Sequence, residues 1–166
     1  MENHLTLQLA TKTDIDCIKE LAYDIWHAHY IDIIGLEQVE YMLSKMYSTD
    51  SILNQMIEEK QEFYMINQQN QSVGFVSVST KNNNDYFIHK FYINQSIAGK
   101  GIGSEVLHLL TDLKKPITYQ LTVNRQNYKS INFYFKNGFV IDKVADFDIG
   151  NGFVMNDFIM KSVISK

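Results

Sequence analysis

Ala98-Gly99-Lys100-Gly101-Ile102-Gly103-Ser104 separates two segments of different pattern. Before it, Tyr86-Phe87-Ile88-His89-Lys90-Phe91-Tyr92-Ile93 is aromatic and β-branched, the composition of a buried strand. After it, Ile102, Val106, Leu109, Leu110 and Leu113 recur at helical spacing. The chain therefore reads as strand, glycine-rich turn, helix. Such a turn gathers backbone N–H groups at a helix N-terminus, where the aligned peptide dipoles favour an anion. Glycine lets the backbone approach a phosphate with no Cβ in the way. The stretch is read as a loop that binds a phosphate or pyrophosphate.

Two common phosphate loops do not fit it. A P-loop needs Gly, four residues, then Gly-Lys-Ser/Thr, but Gly99-Lys100 is followed by Gly101, and Asn94 stands at the first glycine position. A dinucleotide fingerprint ends on a third glycine, and that position is Ser104 in one register and Val106 in the other.

Composition narrows the rest. The 166 residues suit one domain, 1–166, with a proper core. With 45% apolar and 20% charged residues the chain is globular in type rather than disordered. A net charge of −4 argues against a nucleic-acid partner, which calls for a basic face. Cys17, the one cysteine, has no partner for an internal disulfide and no metal-type companions, so a reducing, cytoplasmic setting and no metal are expected. No signal-type N-terminus and no apolar run of membrane-spanning length is present, so no membrane partner is expected.

Along the chain, Leu5 to Leu9 alternates as a first strand. Thr13 and Asp16 read as a capping box for a helix that carries Ile15, Ile18, Ala22 and Ile25 on one face and ends near His29-Tyr30. Leu36 to Met46 and Ser51 to Lys60 read as further helix. Phe63 to Ile66 and Val73 to Val78 read as a hairpin across a polar turn. Lys81 to Asp85 is another turn, before the aromatic strand. Lys114-Lys115-Pro116 stops the helix after the glycine loop. Ile117 to Val123 reads as strand, Asn127 to Lys136 as helix with Gly138 as its terminator, and Phe139 to Ile149 and Phe153 to Val163 as strands joined through Gly150-Asn151-Gly152. The expected class is α/β (α+β): a mixed sheet with helices on its faces, in the order β-α-α-β-β-β-α-β-α-β-β.

The second informative segment runs Val123-Asn124-Arg125-Gln126-Asn127-Tyr128-Lys129-Ser130-Ile131-Asn132-Phe133-Tyr134-Phe135-Lys136-Asn137-Gly138-Phe139. It closely resembles the GNAT N-acetyltransferase signature Val-Asn-x-x-Asn-x-x-Ala/Ser-Ile-x-Phe-Tyr-x-x-x-Gly-Phe. The glycine turn resembles the same superfamily's acetyl-CoA loop, Arg/Gln-x-x-Gly-x-Gly/Ala, and departs from it at Ala98. The resemblance implies the GNAT fold, a mixed, mostly antiparallel twisted sheet of about seven strands with helices on both faces. It implies acetyl-CoA as co-substrate, no metal, and direct acyl transfer to an amine in a ternary complex. Phe91, Tyr92, Ile93 and the strand ending at Val123 would hold the pantetheine arm, with main-chain N–H groups of Phe91 to Ile93 at the carbonyl oxyanion. Ala98, Gly99, Lys100, Gly101, Ile102, Gly103 and Ser104 would hold the pyrophosphate, Asn127 the pantetheine, and Tyr134 would protonate the departing thiolate. Asn127, Ser130 and Tyr134 fall on one stripe of a helix, and a phenol of pKa roughly 10 can donate at neutral pH.

The amine must attack uncharged, and His89, on the strand bordering the thioester, is the candidate base. Trp26, His29 and Tyr30 are candidates for the acceptor pocket by the same resemblance. The end of the first helix and the stretch Phe153 to Lys161 are similar to the branch that includes bacterial polyamine N-acetyltransferases. That suggests a small amine such as spermidine or spermine, with Asp32, Glu37, Asp146, Asp148 or Asp157 attracting the polycation. A protein or peptide N-acetyltransferase and a silent acyl-CoA-binding regulator are the alternatives, and the resemblance leaves a homodimer open.

Overall fold

The computed structural model describes residues 4–82, 84–99 and 101–164. The chain runs through β1 (Leu5–Leu9), α1 (Ile15–His29), α2 (Ile31–Ile34), α3 (Leu36–Met46) and α4 (Thr49–Ile57). Next come β2 (Glu62–Gln68), β3 (Gln71–Asn82), β4 (Asp85–Ile93), α5 (Ile102–Lys114) and β5 (Thr118–Asn124). It closes with α6 (Tyr128–Lys136), β6 (Val140–Gly150) and β7 (Phe153–Val163). The strands form one sheet in the order β1-β2-β3-β4-β5-β7-β6, in which only β4 and β5 pair in parallel.

The strands arrive in the expected sequence, and the pleat assigns their side chains to two cores. Phe63, Met65 and Phe75 face α1, α3 and α4, packing on Ile18, Ala22, Ile25, Val39, Met42 and Ile52. Tyr64, Val76, Val78, Ile88 and Leu121 point the other way, onto Leu107 and Leu110 of α5 and Ile131 and Tyr134 of α6. Helices therefore cover both faces.

Two local expectations are corrected. The helical stretches expected before β2 gain a fourth, since Ile31–Ile34 forms the short α2, which Gly35, at φ +83°, separates from α3; α4 starts at Thr49 rather than Ser51, with the Ser48 side chain accepting from Ser51 N–H. The capping box lies two residues earlier than Thr13 and Asp16. Thr11 N–H donates to Asp14 Oδ2 at 2.7 Å, and Thr11 Oγ1 accepts from Thr13 N–H, so the box opens a short 3-10 turn ahead of α1.

One irregularity shapes the site. The parallel pairing runs from Asp85↔Thr118 to Ile88↔Leu121 and ends there, although β4 stays paired with β3 and β5 with β7 to their last residues. On β3, Val78 pairs with Ile88 and Ser77 with Lys90, which leaves His89 as the extra residue of a bulge. A bulge sharpens the local twist and turns the end of a strand aside. Gly74 completes the turn: a Cβ there would stand 2.2 Å from the Tyr92 carbonyl oxygen, so only glycine lets β3 follow β4 so closely. β4 and β5 thus open into a V between the two helical layers.

Candidate active site

The turn between β4 and α5 closes one mouth of this V. Asn94 organises it: its carbonyl accepts from Ile97 and Ala98 N–H, and its side-chain oxygen accepts from Ser96. Gly99 and Gly101 have φ of +102° and +82°, conformations that glycine tolerates, and a Cβ at either would meet nothing within 4 Å. Their outer side is open space at the head of α5, whose first-turn N–H groups have no acceptor inside their own helix. That geometry fits a diphosphate.

From this turn a groove of about 590 Å³ runs along the V. Phe91, Tyr92 and Ile93 line it from β4, Ala98, Gly99, Gly101, Gly103 and Ser104 from the turn, and Ser130, Phe133 and Tyr134 from α6. His29 lines it from α1. Lys100 lies outside the described residues. Ile102 points elsewhere, packing with Leu5, Ile66 and Val106 beneath the sheet end. Gly103 has a packing role as well: a Cβ there would stand 2.8 Å from Phe133 Cε2, so this glycine lets α5 and α6 come together.

Behind the groove lies a narrow cavity of about 110 Å³ on the α1 side of the sheet. Trp26 of α1, Tyr30 between α1 and α2, Met42 and Met46 of α3, His89, Lys90 and Tyr92 of β4, Thr122 of β5, and Met155 and Asp157 of β7 are among its walls. Tyr30, Phe91, Tyr92, Ser130 and Tyr134 line both spaces, so these residues stand where groove and cavity meet. The sequence-derived acceptor residues are thereby divided: Trp26 and Tyr30 border the cavity, His29 the groove.

Tyr134 is buried, and burial raises its phenol above the ordinary value of 10, with Tyr30 adding to the effect. It holds its proton across the physiological range. Tyr30 is pushed up to about 12, again chiefly by burial. The Trp26 ring stacks on Tyr30 with centroids 4.6 Å apart, and its buried Nε1–H has no hydrogen-bond partner among the described residues.

Asn127 is 1% exposed, and its side chain is engaged within the fold. Oδ1 accepts from Ser130 N–H at 3.2 Å as the N-cap of α6 and meets His29 Nε2 at 3.1 Å, while Nδ2 donates to Tyr30 Oη at 3.4 Å. His89 borders the cavity, but its Nε2 is 2.7 Å from Ser79 Oγ. Burial and the neighbouring Lys90 hold it down to about 4, so it is neutral and weakly basic. Lys90 is itself buried and lowered to about 8 by burial, with its ammonium donating to Gln55 and Gln61 and lying 5.3 Å over the Phe63 ring.

Of the five acidic residues marked for a polycation, Asp157 alone lines the cavity, and it is 2% exposed. Asp146 pairs with Arg125 at 2.8 Å, and Asp148 caps the turn by accepting from Gly150 N–H. Burial pushes Asp157 up to about 6; Thr122 and Arg125 oppose the rise and Asp146 adds to it. Lys90, Met42, Met46 and Met155 were not singled out from the sequence. They arrive from separate elements, and apolar residues at helical or strand spacing read simply as core. Among the described residues no group of three His, Cys, Asp or Glu side chains could hold a metal, and no helix is long and apolar enough to cross a membrane.

Known proteins share this architecture. The chain is 27% identical over 149 residues to a spermidine N(1)-acetyltransferase of Thermoplasma acidophilum, covering 86% of this chain and 89% of that protein. Among solved structures, the PaiA N-acetyltransferase of Thermoplasma acidophilum in complex with coenzyme A superposes with a TM-score of 0.79 at 24% identity, covering 97% of this chain and 99% of that one. An acetyltransferase of Salmonella typhimurium that modifies the N-terminal serine of a ribosomal subunit protein superposes at 0.70 with 17% identity, over 99% of this chain and 97% of that one. The family model for the acetyltransferase (GNAT) domain matches residues 31–157, and with well over half of its 166 residues so matched, the chain belongs to the GNAT acetyltransferases.

Proposed function

We propose that this protein moves an acetyl group from acetyl-CoA to the primary amine of a slender small molecule, of polyamine type, in one ternary complex. The observation that carries the reading is the junction of groove and cavity at Tyr134. On one side, the glycine turn and the head of α5 bind the diphosphate, and the unpaired edges of the V hold the pantetheine arm. Acetyl-CoA supplies an activated acetyl carbonyl at the junction. There Tyr134 donates its proton to the departing sulfur, and main-chain N–H groups of Phe91 to Ile93 face the carbonyl oxygen. Asn127 acts by fixing α6, and Ala98 leaves the diphosphate to backbone donors, each charge-assisted bond worth about 1.5–3 kcal/mol.

On the other side, a space of about 110 Å³ lies well under the roughly 300–1,000 Å³ of sites that enclose drug-sized ligands. It suits an alkylamine arm. Aromatic faces of Trp26, Tyr30 and Tyr92 and one carboxylate favour a cation there. The 27% identical relative named for spermidine supports the same class of acceptor. A cytoplasmic setting suits the free Cys17.

The test is thiol release from acetyl-CoA with a panel of amines and peptides. Spermidine, spermine and propylamine are expected to turn over and N-terminal peptides to fail. Turnover of peptides alone, or acetyl-CoA binding with no turnover, overturns the reading.

A further inference from the structure

The amine must lose a proton before it attacks, and the cavity walls narrow the choice of acceptor for that proton. Lys90 is a cation already engaged by Gln55 and Gln61, and His89 is turned to Ser79. Among the described residues Asp157 is the one carboxylate in the cavity's walls, on the face of β7 that meets α1 and with Met155 two residues before it. We infer that Asp157 takes the proton from the acceptor ammonium, so that the amine reaches the thioester carbonyl uncharged. The inference rests on the acyl-transfer reading above and adds a residue to it.

The step balances as follows. One proton passes from the ammonium nitrogen to an Asp157 carboxylate oxygen, leaving a lone pair on nitrogen. The C–N bond forms and the C–S bond breaks. The thiolate takes the Tyr134 proton, and the surplus proton on nitrogen restores the phenol through solvent. Ammonium has become amide, thioester has become thiol, and one proton leaves the enzyme from Asp157.

Burial suits the carboxyl to this work, because a base works best with a pKa near the operating pH, and Asp157 is pushed up to about 6. The titratable and charged groups around it are Tyr30 just after α1, His89, Lys90 and Tyr92 of β4, Tyr134 of α6, Arg125 after β5 and Asp146 of β6. The tyrosines stay protonated at neutral pH, so an incoming ammonium meets no other anion among the described residues of the cavity.

The test compares wild type, Asp157→Asn and Asp157→Glu in amine kcat/KM against pH, using spermidine and propylamine. Asp157→Asn is expected to lose about 10²-fold or more near neutral pH. The deficit should shrink as pH approaches the amine's own pKa of roughly 10, where solvent removes the proton. Acetyl-CoA affinity by calorimetry should stay unchanged, and Asp157→Glu should recover part of the rate. A kcat/KM for Asp157→Asn within about threefold of wild type, or a deficit equal at every pH, overturns the inference.

A second measurement needs no turnover. The folded pKa of about 6 lies above the ordinary 3.8, so the ionised carboxylate destabilises the fold above about pH 6 and is relieved as pH falls toward 4. Asp157→Asn should therefore melt above wild type at about pH 7.5, with the gap closing toward pH 4. A gap that does not change with pH overturns the buried carboxylate. Wild type that acetylates no amine overturns the acyl-transfer reading and this inference with it. Wild-type turnover matched by Asp157→Asn overturns the role of Asp157 alone.

Discussion

His29 Nε2 lies 3.1 Å from Asn127 Oδ1, and this contact ties the last turn of α1 to the first turn of α6. The same carboxamide oxygen caps α6 through Ser130 N–H, so it accepts from His29, whose Nε2 carries the hydrogen. Burial holds His29 below its ordinary 6.5, which keeps the ring neutral. Tyr30 and Tyr134, which flank the junction of groove and cavity, are thereby carried on helices fastened at one point.

Asn127→Ala should therefore cost stability before it costs chemistry. Loss of an N-cap is worth about 1 kcal/mol, and the unpaired His29 adds to it, for a total of about 1–2 kcal/mol. Urea unfolding should show a lower midpoint with an unchanged slope. An unmoved midpoint would mean that the cap and the His29 contact carry no net energy.

The glycines of the turn should separate binding from packing. Gly101→Asp places a carboxylate in the open space at the head of α5 and should abolish acetyl-CoA binding by calorimetry. Gly103→Ala pushes a methyl group against Phe133 and should lower stability by about 1–3 kcal/mol. Full acetyl-CoA affinity in Gly101→Asp would remove the turn from the site.

Tyr134→Phe removes the hydroxyl and leaves the buried ring. The expected loss is about 10²-fold in kcat at little change in acetyl-CoA affinity, since the proton is needed only as sulfur departs. A wild-type kcat with the best amine would assign that proton to another donor.

The groove was legible in the sequence because its parts are local. The glycine turn, the strand before it and the helix after it sit within one stretch, and the stripe of Asn127, Ser130 and Tyr134 needs only helical geometry. The cavity was not, because its walls come from α1, α2, α3, β4, β5, α6 and β7. Asp157 stood as one of five acidic residues, and only burial sets it apart from Asp146 and Asp148. The bulge at His89 escaped as well, since a single inserted residue leaves the aromatic pattern of β4 intact while it opens the sheet. The short helix Ile31–Ile34 escaped too, because four residues ahead of Gly35 are too few to show a helical period.

The hairpin Gly150-Asn151-Gly152, three successive residues at positive φ, has a bearing on what lines the cavity. It fixes the alignment of β7 with β6, and Tyr41 and Lys45 both donate to the Ile149 carbonyl to hold its tip against α3. Met155 and Asp157 sit two residues apart on β7, so their side chains share a face and travel as a unit. A slip of β7 by one residue against both β5 and β6 would turn both out of the chamber and bring Asn156 and Phe158 in, exchanging an anionic, thioether-lined recess for a neutral aromatic one.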